Sequence, residues 1–318
     1  LALTVKVKDA DLNSAYRLFD KVRGEVASRI STATASKLIK ISQPLALSLA
    51  PSGFSFYSSK QKDNLIFKWK EISAEAQRRI TITPEENIGG TLNGALRLAG
   101  TLGSPECSFE ASVAGGYFRA VTFDKLTVSG GLDNQRVRID KAVLNKDWGK
   151  TTVRGHYDFA GKTALSISAA NMPLSVFNAF FPLKVFKGGF NANVIVDGPI
   201  ANPNVNLAAS GQNITLAGND FDRVALSLIW KNSALKINEF SLLQGKLASS
   251  LEGSLAADGT VNLDMNLYDN AIGLFNLFTD DVRWAGGNSA LTAEVTGTLN
   301  NPRITGALNV SNGRLYLK

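Results

Sequence analysis

The residues that could carry out chemistry in this 318-residue chain are few and dispersed. Its one histidine lies in the segment Arg154-Gly155-His156-Tyr157-Asp158, where period-two alternation predicts that His156 points outward from a β-strand. A Ser-His-Asp triad of the hydrolase type places its serine on a Gly-x-Ser-x-Gly elbow, and the sequence contains no such elbow. His156 is therefore predicted to be a strand residue and not a catalytic base.

The other polar groups give no catalytic pattern either. The carboxylates of Asp158, Glu252 and Asp264 are predicted to lie on the solvated faces of strands. The glycine pairs 115–116 and 130–131 lie in hairpin-like settings, and a phosphate-binding loop would have to precede a helix. We predict that the chain is not an enzyme and that it has no catalytic residue, cofactor or metal site.

Composition narrows the class of protein. The net charge is +7, and the basic residues are spread along the chain without a run. A nucleic-acid-binding module has clustered Lys/Arg with interleaved aromatics, so we predict that the chain does not bind nucleic acid. The single cysteine, Cys107, excludes an internal disulfide, and one cysteine with one histidine cannot assemble a structural zinc site. No run of about 18 apolar residues and no signal peptide is present. Since the sequence begins and stops in mid-strand, we expect a stretch of a longer protein.

An internal repeat is the strongest pattern in the sequence. The step at residues 100–105 (GTLGSP) recurs at 198–203 (GPIANP) and at 297–302 (GTLNNP), so the offsets are 98 and 99 residues. Further pairs keep the offset of 98, among them Gly155 with Gly253 and Phe177 with Phe275. We predict one continuous β-repeat array with approximate units 1–88 (divergent), 89–187, 188–285 and 286–318 (incomplete).

Within each repeat, apolar and polar residues alternate with the period of a β-strand, and Gly, Asn, Asp and Pro turn signals recur about every ten residues. This pattern predicts antiparallel meanders with one apolar and one solvated face. Short amphipathic helices are predicted at residues 171–181, 270–278 and 11–19. Phe54, Phe56, Phe67 and Trp69 fit a filled core as readily as a groove floor.

The predicted fold class is all-β: an elongated antiparallel β-repeat forming a curled, taco-like sheet with an apolar groove and a few short helices. Two packed sheets, as in a sandwich, are the alternative way to cover the apolar faces. The candidate lining of the groove, which we expect to bind lipid, follows the alternating apolar positions: Phe109, Val113, Leu165, Ile167, Phe190, Val194, Val196, Val205, Leu207, Val261, Leu263, Met265, Leu267, Leu291, Val295, Ile304, Leu308 and Val310.

Three features together carry a family resemblance: the Gly-Thr-Leu-x-x-Pro step before an alternating strand, the segment Ile41-Ser42-Gln43-Pro44-Leu45-Ala46-Leu47, and a short helix leading into a Gly-started strand. With a period near 98 residues, the chain resembles over its whole length the C-terminal repeat region of TamB proteins, in the AsmA-like superfamily. The resemblance implies a taco-like β-groove in a periplasmic protein that is anchored in the inner membrane and meets an Omp85-type outer-membrane barrel resembling TamA, through a region that this chain does not include.

The function that the resemblance implies is movement of phospholipid between two membranes, linked to outer-membrane biogenesis. Two alternatives stay open. The chain could be an assembly factor that pairs strands with outer-membrane protein clients such as autotransporters, in protein secretion. It could also be a closed structural β-array whose core is filled. The net charge of +7 favours anionic lipid head groups as a contact.

Overall fold

The computed structural model describes residues 2–15, 17, 88–101, 104–118, 121–133, 135–179, 186–216, 219–245, 247–269, 282–284, 287–299, 301–313 and 315–317. The segment at 41–47, the helix predicted at 270–278 and the aromatics Phe54, Phe56, Phe67 and Trp69 lie outside these residues. Among the described residues, no helix is long and apolar enough to cross a bilayer.

Almost all of the described chain is strand. The strands are β1 (Leu3–Asp11), β2 (Ile88–Thr101), β3 (Ser104–Phe118), β4 (Val121–Leu132), β5 (Arg136–Lys146), β6 (Gly149–Asp158), β7 (Lys162–Pro173), β8 (Phe186–Pro199), β9 (Asn204–Leu216), β10 (Asn219–Lys231), β11 (Ala234–Gln244), β12 (Leu247–Leu255), β13 (Thr260–Tyr268), β14 (Val282–Trp284), β15 (Asn288–Thr298), β16 (Asn301–Ser311) and β17 (Leu315–Leu317).

The strand order of the sheet is the order of the chain. Strands β1 to β13, β15 and β16 form one fifteen-stranded sheet in which each strand is bonded to the strands before and after it, and β14 pairs with β17 separately. Every pairing with a resolved register is antiparallel. Short hairpin connections, which join most of the consecutive strands, permit only this arrangement. The predicted all-β, antiparallel fold class is confirmed.

The chain divides into two compact units. Unit 1 comprises residues 1–48, 80–173 and 194–203, and unit 2 comprises residues 49–79, 174–193 and 204–318. Strands β1 to β7 lie in unit 1, and β9 to β17 lie in unit 2. The boundaries of the sequence repeat do not coincide with these units and stay predictions.

The same turns are built in both units, 98 residues apart. In unit 1 the Asp147 backbone N–H donates to Asp124 Oδ2 at 2.6 Å, and in unit 2 the Gly245 N–H donates to Asp222 Oδ2 at the same distance. Asp147 and Gly245 share a left-handed φ, 52° and 58°. The repeat seen in the sequence is thus also a repeat of backbone geometry.

Register shifts recur at the same spacing. The pairing of β4 with β5 shifts between Ser129 and Gly130, and that of β10 with β11 shifts between Ser227 and Leu228. The next pair of strands shifts after Ile139 in unit 1 and after Ile237 in unit 2. Such bulges are local devices that bend and twist a strand, so the two units bend their sheets at matching positions.

Helices are short in the described residues. Residues 12–15 and 17 are helical, as predicted, and the Asp11 carboxylate caps this segment by accepting hydrogen bonds from the Ser14 N–H and hydroxyl, both at 2.8 Å. The Ser14 backbone N–H bond, and then the hydroxyl bond, lower the pKa of Asp11. The cap therefore contributes its stabilisation at neutral pH and loses it as the pH falls through this lowered pKa.

The helix predicted to start at Asn171 is wrong at its N-terminus. Strand β7 continues through Pro173, Asn171 adopts a left-handed φ of 48°, and a 3-10 helix then runs over Leu174–Ala179. Its aromatic side chain Phe177 packs on β8, with ring centroids 5.5 Å from Phe190 and 6.4 Å from Phe186. The helix therefore covers the start of β8 within unit 2.

Replacing Gly253 by alanine should destabilise the chain. Gly253 has a φ of 136°, and a Cβ there would overlap the Asn262 carbonyl oxygen and lie 2.7 Å from Leu263 Cα. We expect a loss of about 2 kcal/mol or more, seen as a lower midpoint of urea denaturation. Gly245→Asn is the matched control, because the space around Gly245 is open and asparagine tolerates its φ of 58°. Equal midpoints for the two variants would contradict this account.

Candidate functional site

Cross-strand register brings apolar side chains into continuous rows on one face of unit 1. Directly paired residues of antiparallel strands point to the same face. From β1 to β7 one row contains Val5, Leu96, Phe109, Gly130, Ile139, Gly155 and Leu165, and the next contains Val7, Gly94, Ala111, Val128, Ala142, Val153 and Ile167. We call this surface the apolar face of unit 1.

Unit 2 has an apolar face of the same construction. From β9 to β16, three of its rows contain Leu207, Leu228, Ile237, Gly253, Leu263, Val295 and Ile304; Ala209, Leu226, Phe240, Leu251, Met265, Ala293 and Gly306; and Gly211, Val224, Leu242, Ser249, Leu267, Leu291 and Leu308. Five positions of the first row match the unit 1 row that contains Phe109, each 98 residues later.

The predicted lining residues lie on these faces. Phe109, Val113, Leu165 and Ile167 lie on the apolar face of unit 1. The residues of the candidate set that lie on the apolar face of unit 2 are Val205, Leu207, Val261, Leu263, Met265, Leu267, Leu291, Val295, Ile304, Leu308 and Val310. On β8, Phe190, Val194 and Val196 alternate with exposed residues and so share one side of their strand.

The lining residues differ in exposure. Val113, Val261 and Leu267 are buried, at 5%, 4% and 5% exposure, and twelve of the eighteen are half-buried. Ile304 and Leu308 on β16 are 68% and 53% exposed, and Val310 is also exposed. No large side chain of the described residues is fully buried. A filled sandwich core would bury many large side chains completely, so the described faces lack this sign of a closed core.

Sequence reasoning missed part of each face. Leu3, Val5 and Leu96 lie on the apolar face of unit 1, and Leu228 and Ile237 lie on that of unit 2. In β5 and β11 a bulge shifts the apolar positions by one residue, so that strict alternation does not follow the face. The register shift after Ile237, for example, makes Phe240 the next residue of the apolar face.

The opposite, polar face of unit 1 carries a concavity that the sequence did not indicate. It has a volume of about 710 Å³ and spans β2 to β6, with Asn93, Glu110, Ser112, Thr127, Lys141 and Lys150 among its lining residues. The Ser129 hydroxyl donates to the Lys141 carbonyl oxygen at 3.4 Å across this region. The concavity holds mixed neutral and charged groups, and the predicted lipid-lining side chains of unit 1 point to the other face.

His156 lies on the polar face of unit 1. Its Nε2 is 3.8 Å from Asp158 Oδ1, and the Arg136 Nε is 3.5 Å from the same oxygen. Its cross-strand partners are Arg138 and Ala164, neither of which is a nucleophile. The arrangement is that of a surface charge cluster, in which protonated His156 would share the Asp158 carboxylate with Arg136.

The carboxylates Glu252 and Asp264 pair across β12 and β13, and Asp264 pairs in turn with Glu294. All three are exposed, so solvent screens their repulsion. In the described part of the chain no group of three or more His, Cys, Asp or Glu side chains is placed to hold a metal ion. Cys107 is a half-buried free thiol on the apolar face of unit 1, and burial raises its pKa.

Neither a protein-family model, nor a curated protein, nor a solved structure matches the chain. The two apolar faces are thus the site that the geometry itself defines.

Leu267 and Leu308 provide a test of which lining residues support the fold. Both belong to one row of unit 2, yet Leu267 is 5% exposed and Leu308 is 53% exposed. We expect Leu267→Ala to cost about 2 to 4 kcal/mol of unfolding free energy and Leu308→Ala less than about 1 kcal/mol, measured by urea denaturation. Similar losses for both variants would show that β16 is covered as well as β13.

Proposed function

We propose that the chain binds the acyl chains of phospholipid along its apolar faces and takes part in lipid transport between membranes. The observation that carries the proposal is the continuity of these faces. In each unit, rows of seven cross-strand residues run without a charged side chain, and most of the large apolar residues in them keep part of their surface accessible. Contiguous apolar surface of this kind marks a binding site for apolar material.

The energetics support an acyl chain as the occupant. Each buried CH₂ contributes about 0.8 kcal/mol, so a chain of about sixteen carbons gains roughly 10 kcal/mol before ordering costs. The rows of the apolar faces offer many similar positions and no polar anchor. A lipid would therefore shift along a face without being trapped at one position, as transport requires.

The setting of this function rests on the resemblance to the TamB repeat region. We propose that the chain acts in the periplasm, that its parent protein is anchored in the inner membrane, and that it works with an Omp85-type barrel in outer-membrane biogenesis. The fold and the apolar faces are compatible with such a role, and no cofactor is needed for it.

Charges placed on the apolar face of unit 2, or on the apolar side of β8, should abolish lipid binding. We expect Leu263→Arg, and Val194→Asp on β8, to lower the phospholipid that co-purifies with the periplasmically expressed chain by about tenfold or more, because a buried charge opposes apolar contact. The measurement is organic extraction followed by mass spectrometry, with purification in the absence of detergent. Ile304→Arg adds a variant at a position that is already 68% exposed. We expect the sheet to stay folded with a charge there, because an exposed charge keeps its contact with water.

The matched controls lie one residue away on the other side of the same strands. Asn262→Arg and Ile195→Asp introduce the same charges at exposed positions, and they should leave the bound lipid unchanged. A wild-type chain that carries no lipid, or equal lipid in face and control variants, would refute acyl-chain binding.

Strand pairing with a client protein is the second candidate function, and β16 favours it. All eleven residues of β16 are exposed, and among the described strands it pairs only with β15. An edge strand of this length offers backbone donors and acceptors to an incoming strand largely regardless of sequence. The sequence repeat indicates which strand would pair with β16. Because β16 corresponds to β9 and β9 pairs with β10, a strand like β10 is expected to add to β16 in the same register.

A peptide with the sequence of β10, residues 219–231, should add to β16. We expect saturable binding of the labelled peptide by fluorescence anisotropy, with loss of binding when the peptide is N-methylated at alternate residues. N-methylation removes the hydrogen-bond donors and leaves the side chains in place. Equal binding of both peptides would place them on an apolar face and argue against strand pairing.

A further inference from the structure

The turn between β5 and β6 in unit 1 carries an exposed tryptophan that the turn does not need. Trp148 is 70% exposed, the largest exposure among the exposed large apolar side chains of the described residues. The corresponding turn of unit 2 has a left-handed residue, Gly245, at the position of Asp147, and the same backbone bond to an aspartate. The position equivalent to Trp148 is nevertheless Lys246. The fold therefore gives no reason for an indole at this place.

Two lysines lie on the strands next to this turn. Lys125 on β4 and Lys150 on β6 both pair with Asn145 of β5, which places the two lysines on one face about 10 Å apart. Both are exposed, and neither forms an ion pair with an acidic side chain of the described residues. We call Trp148, Lys125 and Lys150 the Trp148 patch.

The nearby acidic side chains do not neutralise the positive charge of Lys125 and Lys150. The Asp147 carboxylate pairs with Lys146 Nζ at 3.5 Å, and Lys146 also donates to Thr122 Oγ1 at 3.2 Å. The Asp124 carboxylate accepts the Asp147 backbone N–H. The charges of Lys146 and Asp147 thus offset each other, while Lys125 and Lys150 face solvent together against the one carboxylate of Asp124.

We propose that the Trp148 patch docks the chain on the surface of an anionic phospholipid bilayer. Tryptophan is the residue type that favours the headgroup level of a membrane, because its ring is apolar and its indole N–H is polar. Each lysine near an anionic surface adds attraction. The patch lies on a turn and on the polar face, away from the apolar faces, so the inference goes beyond acyl-chain binding and does not rest on it.

Vesicle co-sedimentation of the full 318-residue chain tests the docking. We expect binding to vesicles of phosphatidylglycerol and phosphatidylethanolamine, little binding to phosphatidylcholine vesicles, and weakening as salt is raised. Trp148→Ala should weaken binding several-fold, and Lys125→Gln and Lys150→Gln about fivefold each. Tyr268→Ala is the matched control, because Tyr268 is 54% exposed on the polar face of unit 2 and pairs with Ala248; it should bind like the wild type.

Fluorescence, recorded at vesicle concentrations that saturate binding, supplies a second readout. The chain has four tryptophans, and quenching by brominated lipid should fall when Trp148 is replaced by phenylalanine. Unchanged sedimentation of Trp148→Ala would overturn the proposal, as would equal binding to neutral vesicles. Failure of the chain to sediment with either the anionic or the neutral vesicles would also overturn it. A protein would then be the remaining partner to test for the Trp148 patch. Loss of vesicle binding in Trp148→Ala with unchanged co-purified lipid would support docking separately from acyl-chain binding.

Discussion

Everything in this structure depends on antiparallel register. Side chains of a strand alternate between two faces, so a slip of one residue would move every apolar side chain of that strand to the solvated side. In unit 1 the register holds from Val5 on β1 to Leu165 on β7, and in unit 2 it holds from Leu207 on β9 to Ile304 on β16. The apolar faces exist only because each pairing keeps this phase with the next.

The register survives the bulge in β5 of unit 1 and the bulge in β11 of unit 2, which lie at the same place of the repeat. A bulge adds one residue to one strand. The row of apolar residues stays continuous because the pairing with both neighbouring strands shifts at that place. After Ile139 and after Ile237 the shift is followed by a strand with a glycine in the row, Gly155 or Gly253. A side chain at that glycine would meet the backbone of the next strand. The bulge and the glycine beside it thus recur together at matching positions of the two units.

The sequence pattern predicted the strands in which apolar and polar residues alternate strictly. It failed where the backbone interrupts this alternation. The alternation around Phe109, Leu207 and Leu263 predicts strands and their apolar sides correctly. The bulged strands β5 and β11 hide their apolar positions from such a pattern. Strand β7 continues past the left-handed Asn171, where a helix cap was expected. The exposure of each lining residue was not predictable, since Leu267 and Leu308 have the same type and differ only in their neighbours.

The number of strands in the repeat has a consequence of its own. The equivalents of β2 and β3 are β8 and β9, so one repeat spans six strands, β2 to β7. Six is an even number, and equivalent strands of successive repeats therefore run in the same direction, with equivalent hairpin turns at the same border of the sheet. An odd count would send each turn type alternately to opposite borders. In unit 1 the β5–β6 turn with Trp148 therefore lies at the border opposite to the repeated steps at residues 100–105 and 198–203, so a residue change at one border leaves the turns of the other border in place.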